Sequence, residues 1–440
     1  MSTRPAPRPA RLLAVSSLAH FMNDGVVFFI PVIGDLLSQD HRTSTVVITA
    51  MLTIFYITSA GFGIVVGLLA DRIGRRGAMI AMGIATLGVS LVGFYASLVL
   101  TGIGSDILVL AASALAGIGS SAYHPLGGSI LQRGFSAGAR GRALGVNGAF
   151  GSFGRALYPA LFFVIAALGI SRPATTLIFA GLSLLAAALI AVGLPAEPSD
   201  AKDRLQGTTS TLGSDMGTAG APAVADRLTP RSAPSTQPPS LRSLLNRSVV
   251  ALTTIAFFRS VAFIGIVAWV PIYLTTQRHA GLSTGLGLTV TVMYAGGIVG
   301  QPVFGMLADR FDKRVVLAID SLGSALGIFL FLATSGTGVN ALLALAVFGL
   351  FTFSGFPLLL SLVADYVPRG SFATGNALVW GIGSTGGQAL GPLVTSLLTG
   401  GSHANLGVAF AILGAVAAVT VLATPLLKRT QGSTRMAMFG

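Results

Sequence analysis

The chain contains no cysteine. Disulfides, thiolate nucleophiles and cysteine-ligated metals are therefore excluded. Charge is scarce as well. Only 9% of the 440 residues are Asp, Glu, Lys or Arg, against about 25% in an ordinary soluble domain. Acidic residues number 14 and histidines five, so a clustered catalytic or metal set has few members to draw on. Three of those histidines, His41, His279 and His403, fall in predicted external loops. No Gly-x4-Gly-Lys-Ser/Thr loop occurs, which argues against ATP-driven transport within the chain. The period-2 alternation of a membrane barrel is also missing. No metal and no cofactor is expected.

What the chain has is apolar length. It is 53% hydrophobic and carries 57 glycines. Twelve apolar runs can be counted, at 12–34, 45–69, 77–98, 107–131, 143–168, 174–194, 249–274, 284–308, 315–335, 339–364, 373–399 and 405–427. Runs of roughly 20 apolar residues cross a bilayer as helices. Lipid offers no partner to a free backbone group, so helices are the natural form. The net charge of +13 does not point to nucleic acid, because the basic residues punctuate the ends of apolar runs. Residues 1–11 are basic and Pro-rich, but the run after them lacks a small-residue cleavage site. A retained first helix is expected there, not a cleaved signal peptide.

Residues 195–246 break the pattern. Pro195, Glu197, Pro198, Asp200, Lys202, Asp203 and Arg204 lead into a Ser/Thr/Gly/Pro-rich tract. This reads as a flexible cytoplasmic linker, with one short amphipathic stretch near 241–245. The expected organisation is a six-helix half at 1–194, the linker at 195–246 and a second six-helix half at 247–440. With both termini inside, only Arg42, Arg172 and Arg278 of the 27 basic residues lie outside, and Arg155 and Arg259 lie within helices. That bias sets the orientation. The expected location is the inner (cytoplasmic) membrane of a prokaryote.

The two halves echo one another. Gly67-Leu-Leu-Ala-Asp71-Arg72-Ile-Gly74-Arg75-Arg76 returns as Gly305-Met-Leu-Ala-Asp309-Arg310-Phe-Asp312-Lys313-Arg314. Gly141-Arg-Ala-Leu matches Gly375-Asn-Ala-Leu. Arg155-Ala-Leu-Tyr-Pro159 matches Gln388-Ala-Leu-Gly-Pro392, and Tyr123-His-Pro125 matches Gly355-Phe-Pro357. The repeated loop resembles the one between helices two and three, and eight and nine, of the major facilitator superfamily. That resemblance implies an all-α membrane protein of 12 transmembrane helices in two pseudo-symmetric six-helix halves, with substrate held near the midplane between them. It also implies a gating role for Gly67, Asp71, Arg72, Gly74, Arg75, Arg76, Asp309, Arg310 and Arg314. In the superfamily the aspartate meets the N-terminal end of a neighbouring helix, whose partial positive charge attracts it, and a nearby arginine. Arg142 and Arg133 are the expected partners of Asp71. The second copy is expected to be weaker, since Asp312 replaces the glycine.

Ionisable groups inside spanning helices are functional candidates by default. His20, Asn23 and Asp24 share one face of the first helix. Desolvation penalises a charged carboxylate, so a buried Asp24 suits a proton carrier; the alternative is a static pair with an arginine. His124 precedes Pro125, which frees a carbonyl one turn earlier. It is either a cavity wall or a neutral inter-helix bridge. Asn147, Gly151, Arg155 and Tyr158 form one stripe, answered by Asn376, Trp380, Ser384 and Gln388. Arg155 and Arg259 keep their charge and need a carboxylate, carbonyls or an anionic ligand. Asn23, Tyr123, Asn147, Arg155, Tyr158, Arg259, Tyr294, Gln301, Trp380 and Gln388 are the candidate substrate contacts. Asp24, His20 and His124 are the candidate proton-coupling groups. Asp320 is expected near the cytoplasmic interface beside a loop arginine, Asp365 at the interface, and Trp269 as an interfacial anchor.

The runs His20-Phe-Met-Asn23-Asp24 and Ser120-Ser121-Ala-Tyr-His124-Pro125 resemble the fosmidomycin-resistance family. That resemblance implies a proton-driven drug exporter with a small anionic or polar substrate. The expected partners are the substrate, protons and the lipid bilayer, with a monomer sufficient. An antiporter is the leading expectation. A symporter or uniporter for a small organic anion is the alternative, and a channel, receptor or integral enzyme is the remote one.

Overall fold

The computed structural model describes residues 9–39, 43–194, 244–280, 284–400 and 402–429. Residues 195–243 of the expected linker, and most of its amphipathic stretch, lie outside the described residues, as do His41 and Arg42. The described chain is helical throughout. In the first half the helices are α1 (Pro9–Gln39), α2 (Thr45–Ile73), α3 (Arg76–Val99), α4 (Ile103–Ser120), α5 (Tyr123–Gly134), α6 (Ala137–Ala167) and α7 (Arg172–Gly193). In the second half they are α8 (Arg247–Val267), α9 (Val270–Thr276), α10 (Thr284–Arg310), α11 (Lys313–Ala333), α12 (Val339–Thr352) and α13 (Gly355–Tyr366). Then follow α14 (Phe372–Asn376), a π-helical stretch (Ala377–Thr385), α15 (Gly386–Thr399) and α16 (Leu406–Val419).

Among the described residues, eleven stretches are long and apolar enough to cross a membrane. The twelfth crossing, 372–399, is broken into α14, the π-helical stretch and α15. Three other crossings are broken two to four residues ahead of a proline. Pro125 follows the gap between α4 and α5, Pro271 the gap between α8 and α9, and Pro357 the gap between α12 and α13. Proline has no N–H to return to the carbonyl four residues back, so the ladder opens there. Trp269 sits in one of these breaks and is only 7% exposed, so it is not an interfacial anchor. Apolar side chains such as Ile103, Val192, Leu397 and Leu422 point outward, where lipid rather than water suits them.

Aromatic clusters hold each half. Phe29, Phe162 and Phe179 meet in the first, and Tyr273, Phe331 and Phe410 in the second. The halves meet along two helix seams, α6 on α10, and α2 on the α14–α15 crossing. Glycines set the approach. A Cβ on Gly305 would lie 2.5 Å from the Gly141 carbonyl oxygen, and one on Gly67 would lie 2.8 Å from Ala377 Cβ. The first glycine of each repeated loop is thus the residue that lets its helix touch the opposite half.

That approach brings each loop aspartate to the other half. Asp71 accepts the backbone N–H and the hydroxyl of Thr374, at 2.9 and 2.8 Å. Asp309 accepts the backbone N–H groups of Gly141 and Arg142, both at 3.1 Å. Arg142, expected beside Asp71, therefore presents its backbone to Asp309. Asp71 takes Arg76 at 3.0 Å and Arg133 at 3.8 Å. Gly74 adopts φ 71° and closes α2. Asp312, at the matching position, caps α11 instead and holds Arg314 at 2.8 Å. Its replacement of glycine changes the turn, yet Asp309 still spans the seam. Asp365 is partly exposed and pairs with Lys313.

Candidate functional site

Between the halves lies a central cavity of about 50 Å³, room for on the order of three or four waters. Asp24, His124 and Arg155 reach it from the first half, and Arg259, Trp380 and Gln388 from the second. Ser120, Tyr56 and Ser384 complete much of the polar lining.

Asp24 is 1% exposed, and four side chains reach its carboxylate. Its Oδ2 is 2.8 Å from Arg155 Nη1 and 3.2 Å from His20 Nε2. Its Oδ1 accepts from Asn23 Nδ2 at 2.9 Å and lies 3.5 Å from His124 Nε2. Arg155 also donates to Ser152 Oγ at 2.6 Å, and that same oxygen takes Gln301 Nε2 of α10 at 2.7 Å. The Arg155 guanidinium lies over the rings of Phe353 and Phe28, at 4.7 and 5.2 Å, where a cation is attracted by the ring face. Helical spacing on α1 explains His20 beside Asp24. Glycine explains the rest: a Cβ on Gly151 would meet His20 Nε2 at 2.4 Å, so α6 can lie close enough to α1 for Arg155 to reach across.

Behind this wall, His20 Nδ1 sits 2.9 Å from the Asn147 carbonyl oxygen and 3.0 Å from its Oδ1. Tyr123 donates to Asn147 Oδ1 at 2.8 Å. Phe356 and Trp380 pack tilted or edge-on against the histidines from the second half, with Trp380 4.6 Å from His124 between ring centroids. His20, Asp24 and His124 offer ligand atoms within 4.8 Å of one another, a spacing a metal ion can use. Arg155 already holds a fixed positive charge on Asp24, which opposes a metal ion at the same carboxylate.

Arg259 has its own carboxylate. Its Nη2 is 2.5 Å from Asp320 Oδ2 and donates to the Phe351 and Thr352 carbonyls at 3.2 and 3.0 Å. Those carbonyls lie at the end of α12, where the helix breaks. A Cβ on Gly355 would come within 2.6 Å of Arg259 Nη1, so glycine admits the guanidinium. Asp320 is fully buried, not interfacial beside a loop arginine. Its signal in the sequence was the need of Arg259 for an acid, but spacing along the chain did not say which helix would supply it.

The remaining candidates divide by position. Gln388, Trp380 and Arg259 line the cavity; Asn23, Tyr123, Asn147 and Gln301 lie behind it. Tyr158 packs against Phe179 and Gly25, with its hydroxyl on Met22, away from the cavity. Tyr294 faces a second, largely apolar cavity of about 100 Å³ with Trp269 and Phe163. Ser152 and Phe356 are site residues that sequence reasoning missed. Ser152 carries neither charge nor repeat match, and Phe356, though it stands opposite His124 in the repeat, is an apolar residue in an apolar run.

The family model described as Major Facilitator Superfamily matches residues 13–379 and 278–435. The chain belongs to that superfamily of transporters. A "Multidrug resistance protein MdtG" of Rahnella sp. is 32% identical over 154 residues, 32% of this chain and 34% of that protein. The same protein of Salmonella arizonae is 31% identical over 180 residues, 38% and 41% of the two chains. The chain thus spans about a third to two fifths of the length of these relatives. Among solved structures, the proton:xylose symporter XylE superposes with a TM-score of 0.67 at 16% identity, covering 96% of this chain and 97% of its own. The human organic anion transporter MFSD10 gives 0.64 at 18%, covering 95% and 100%. Both establish the fold. The protein is an integral membrane transporter of the twelve-helix, two-half form expected from the sequence.

Proposed function

We propose that the protein is a proton-coupled secondary active transporter of a small organic anion, working by alternating access. One observation carries this reading: two arginines, one from each half, face the same central cavity. The arginine fork suits carboxylate, phosphate and phosphonate groups. Asp24, flanked by His20 and His124, is the proton site. Arg259 and Gln388 supply the opposite wall. The paired aspartate contacts form a gate at the end that the basic loops assign to the cytoplasm. The halves at 1–194 and 247–440, joined by a linker at 195–246, are the two moving bodies, both termini are cytoplasmic, and a monomer in a prokaryotic inner membrane suffices.

The multidrug-resistance names and the fosmidomycin-like runs support export in exchange for protons. Symport or uniport of a small organic anion is the second reading, because arginines from both halves at one cavity serve uptake as well as export. A drug-sensitive bacterial host expressing the wild type or Asp24→Asn, grown on anionic toxic compounds including fosmidomycin, tests the reading. Protection lost in the variant assigns proton-driven export. Sensitisation lost in the variant assigns uptake. No change with any anionic compound, at verified expression, would sink the anion reading.

A further inference from the structure

Gln301 is a costly residue for its place. It lies inside α10, fully buried, in a stretch long and apolar enough to span the membrane. Its Nε2 donates to Ser152 Oγ at 2.7 Å, but its Oε1 has no hydrogen-bond partner among the described residues. Turning the amide over would only exchange which end goes unpaired, since a serine hydroxyl can donate as well as accept. A buried polar atom without a partner carries its full desolvation cost, which an apolar side chain of similar shape avoids. Packing alone would be better served by Met or Leu at this position.

The backbone on both sides makes room for this amide. A Cβ on Gly148 of α6 would overlap Gln301 Oε1, and one on Gly297 of α10 would press on Ser152 Oγ. Two glycines, one per helix, thus admit one side-chain contact across the seam. That contact leads to the cavity. Ser152 Oγ also accepts from Arg155 Nη2 at 2.6 Å, while Arg155 Nη1 is held by Asp24. One arm of the guanidinium is fixed within the first half. The other is fixed through a hydroxyl that the second half holds in place.

The second arginine is built differently. Arg259 is held by Asp320 and by the Phe351 and Thr352 carbonyls, all of its own half. In the repeat, Gly63 stands where Gln301 does, four residues ahead of the loop glycine. The other seam therefore has no amide at the matching place.

We infer that Gln301 is a positioning residue for Arg155: through Ser152 it orients the guanidinium toward the cavity only while α6 and α10 are closed on one another. Gln301 lies eight residues from the Asp309 latch, about 12 Å along the same helix. Parting the seam at the basic-loop end would draw the amide from the hydroxyl. The anion site is then complete in the form shut at that end and loosened in the other. This rests on the anion reading above and adds to it the contact that ties affinity to the state of the seam.

The test is isothermal titration of the purified full-length protein with methylphosphonate and benzoate, paired with its thermal midpoint in the same detergent. Gln301→Met should weaken anion binding about tenfold while leaving the thermal midpoint level or raised. Gln301→Leu, a second apolar replacement, should do the same. Thr291→Val removes another bond across this seam, from Thr291 Oγ1 to the Ala156 carbonyl at 3.2 Å, and should leave affinity unchanged. Ser152→Ala should weaken binding to a similar extent as Gln301→Met. Adding Gln301→Met to Ser152→Ala should cost nothing further, because both act through one contact. Unchanged affinity or a lowered thermal midpoint in both Gln301 variants, an equal loss in Thr291→Val, or additive losses in the double variant would each overturn the inference and leave the anion site standing. No binding of either probe, by wild-type protein that elutes as a single species, would overturn the anion reading itself and the inference with it.

Discussion

Arg259 and Asp320 show what a single buried charge demands. Removing one partner leaves the other ionised with little to solvate it, a loss of about 3–5 kcal/mol in comparable pairs. Asp320→Asn and Arg259→Ala should each lower the thermal midpoint of the detergent-solubilised protein markedly. Replacing both at once, Arg259→Met with Asp320→Leu, should cost less than either single change, because no orphan charge remains. If the double variant is stable but does not transport, Arg259 serves the substrate as well as the fold. If it transports normally, the pair is structural. Gly355→Ala is a finer probe. The added methyl would sit 2.6 Å from the guanidinium, so it should disturb Arg259 without removing a charge and reduce the transport rate with a smaller loss of stability.

The helix seams depend on glycine in the same way. Along α6, the residues Gly141, Gly145 and Gly148 meet Asp309, Gly305 and Gln301 of α10. A branched side chain at Gly305 would push into the Gly141 carbonyl and part the seam, at a cost of about 1–3 kcal/mol for overpacking. Gly305→Val should therefore open the basic-loop end. The absence of native cysteine gives a clean background for measuring it. Ser129 is fully buried near that end, and a Ser129→Cys probe should react slowly with a polar maleimide. Its labelling should quicken when Gly305→Val is added. Equal rates in the two backgrounds would mean that the seam tolerates the bulk and glycine is not what holds it.

Across the described residues, polar contacts between the halves close the basic-loop end. Asp71 reaches Thr374, Asp309 reaches Gly141 and Arg142, and Gln132 reaches both the Leu360 carbonyl and Asn376, at 2.7 and 3.2 Å. Asn376 returns a bond to Gln132 at 2.9 Å. The structure is thus a form closed at that end, with a small cavity at its centre. A hydrogen bond to a charged group contributes about 1.5–3 kcal/mol, so each aspartate latch, with two, is worth about 3 kcal/mol at the low end. Inverting a population from 99:1 takes about 5.5 kcal/mol. Asp71→Ala or Asp309→Ala alone should bring open and closed forms to comparable amounts, and the double variant should be mostly open. Spin-label distances across that end would show it. A single variant as open as the double would mean that the latches are not equivalent halves of one gate.

Much of this was legible in the chain. Twelve apolar runs gave the helices, because backbone in lipid must satisfy itself, and the repeated Gly-x3-Asp loops marked two similar halves. His20 beside Asp24 followed from helical periodicity alone. Pairings between helices were not legible. Asp24 could be seen to need a partner, but Arg155, 131 residues away, was one of several arginines that could have served. Asp320 looked interfacial because it lies near a helix start; only the packing of α11 against the end of α12 carried it inward to Arg259. Arg142 looked like a side-chain partner for Asp71, whereas the close seam made its backbone a donor to Asp309. Sequence determines which groups can enter a membrane and at what spacing on one helix. Tertiary structure decides which charges meet, since distance between helices is set by side-chain volume at the seam and not by position along the chain.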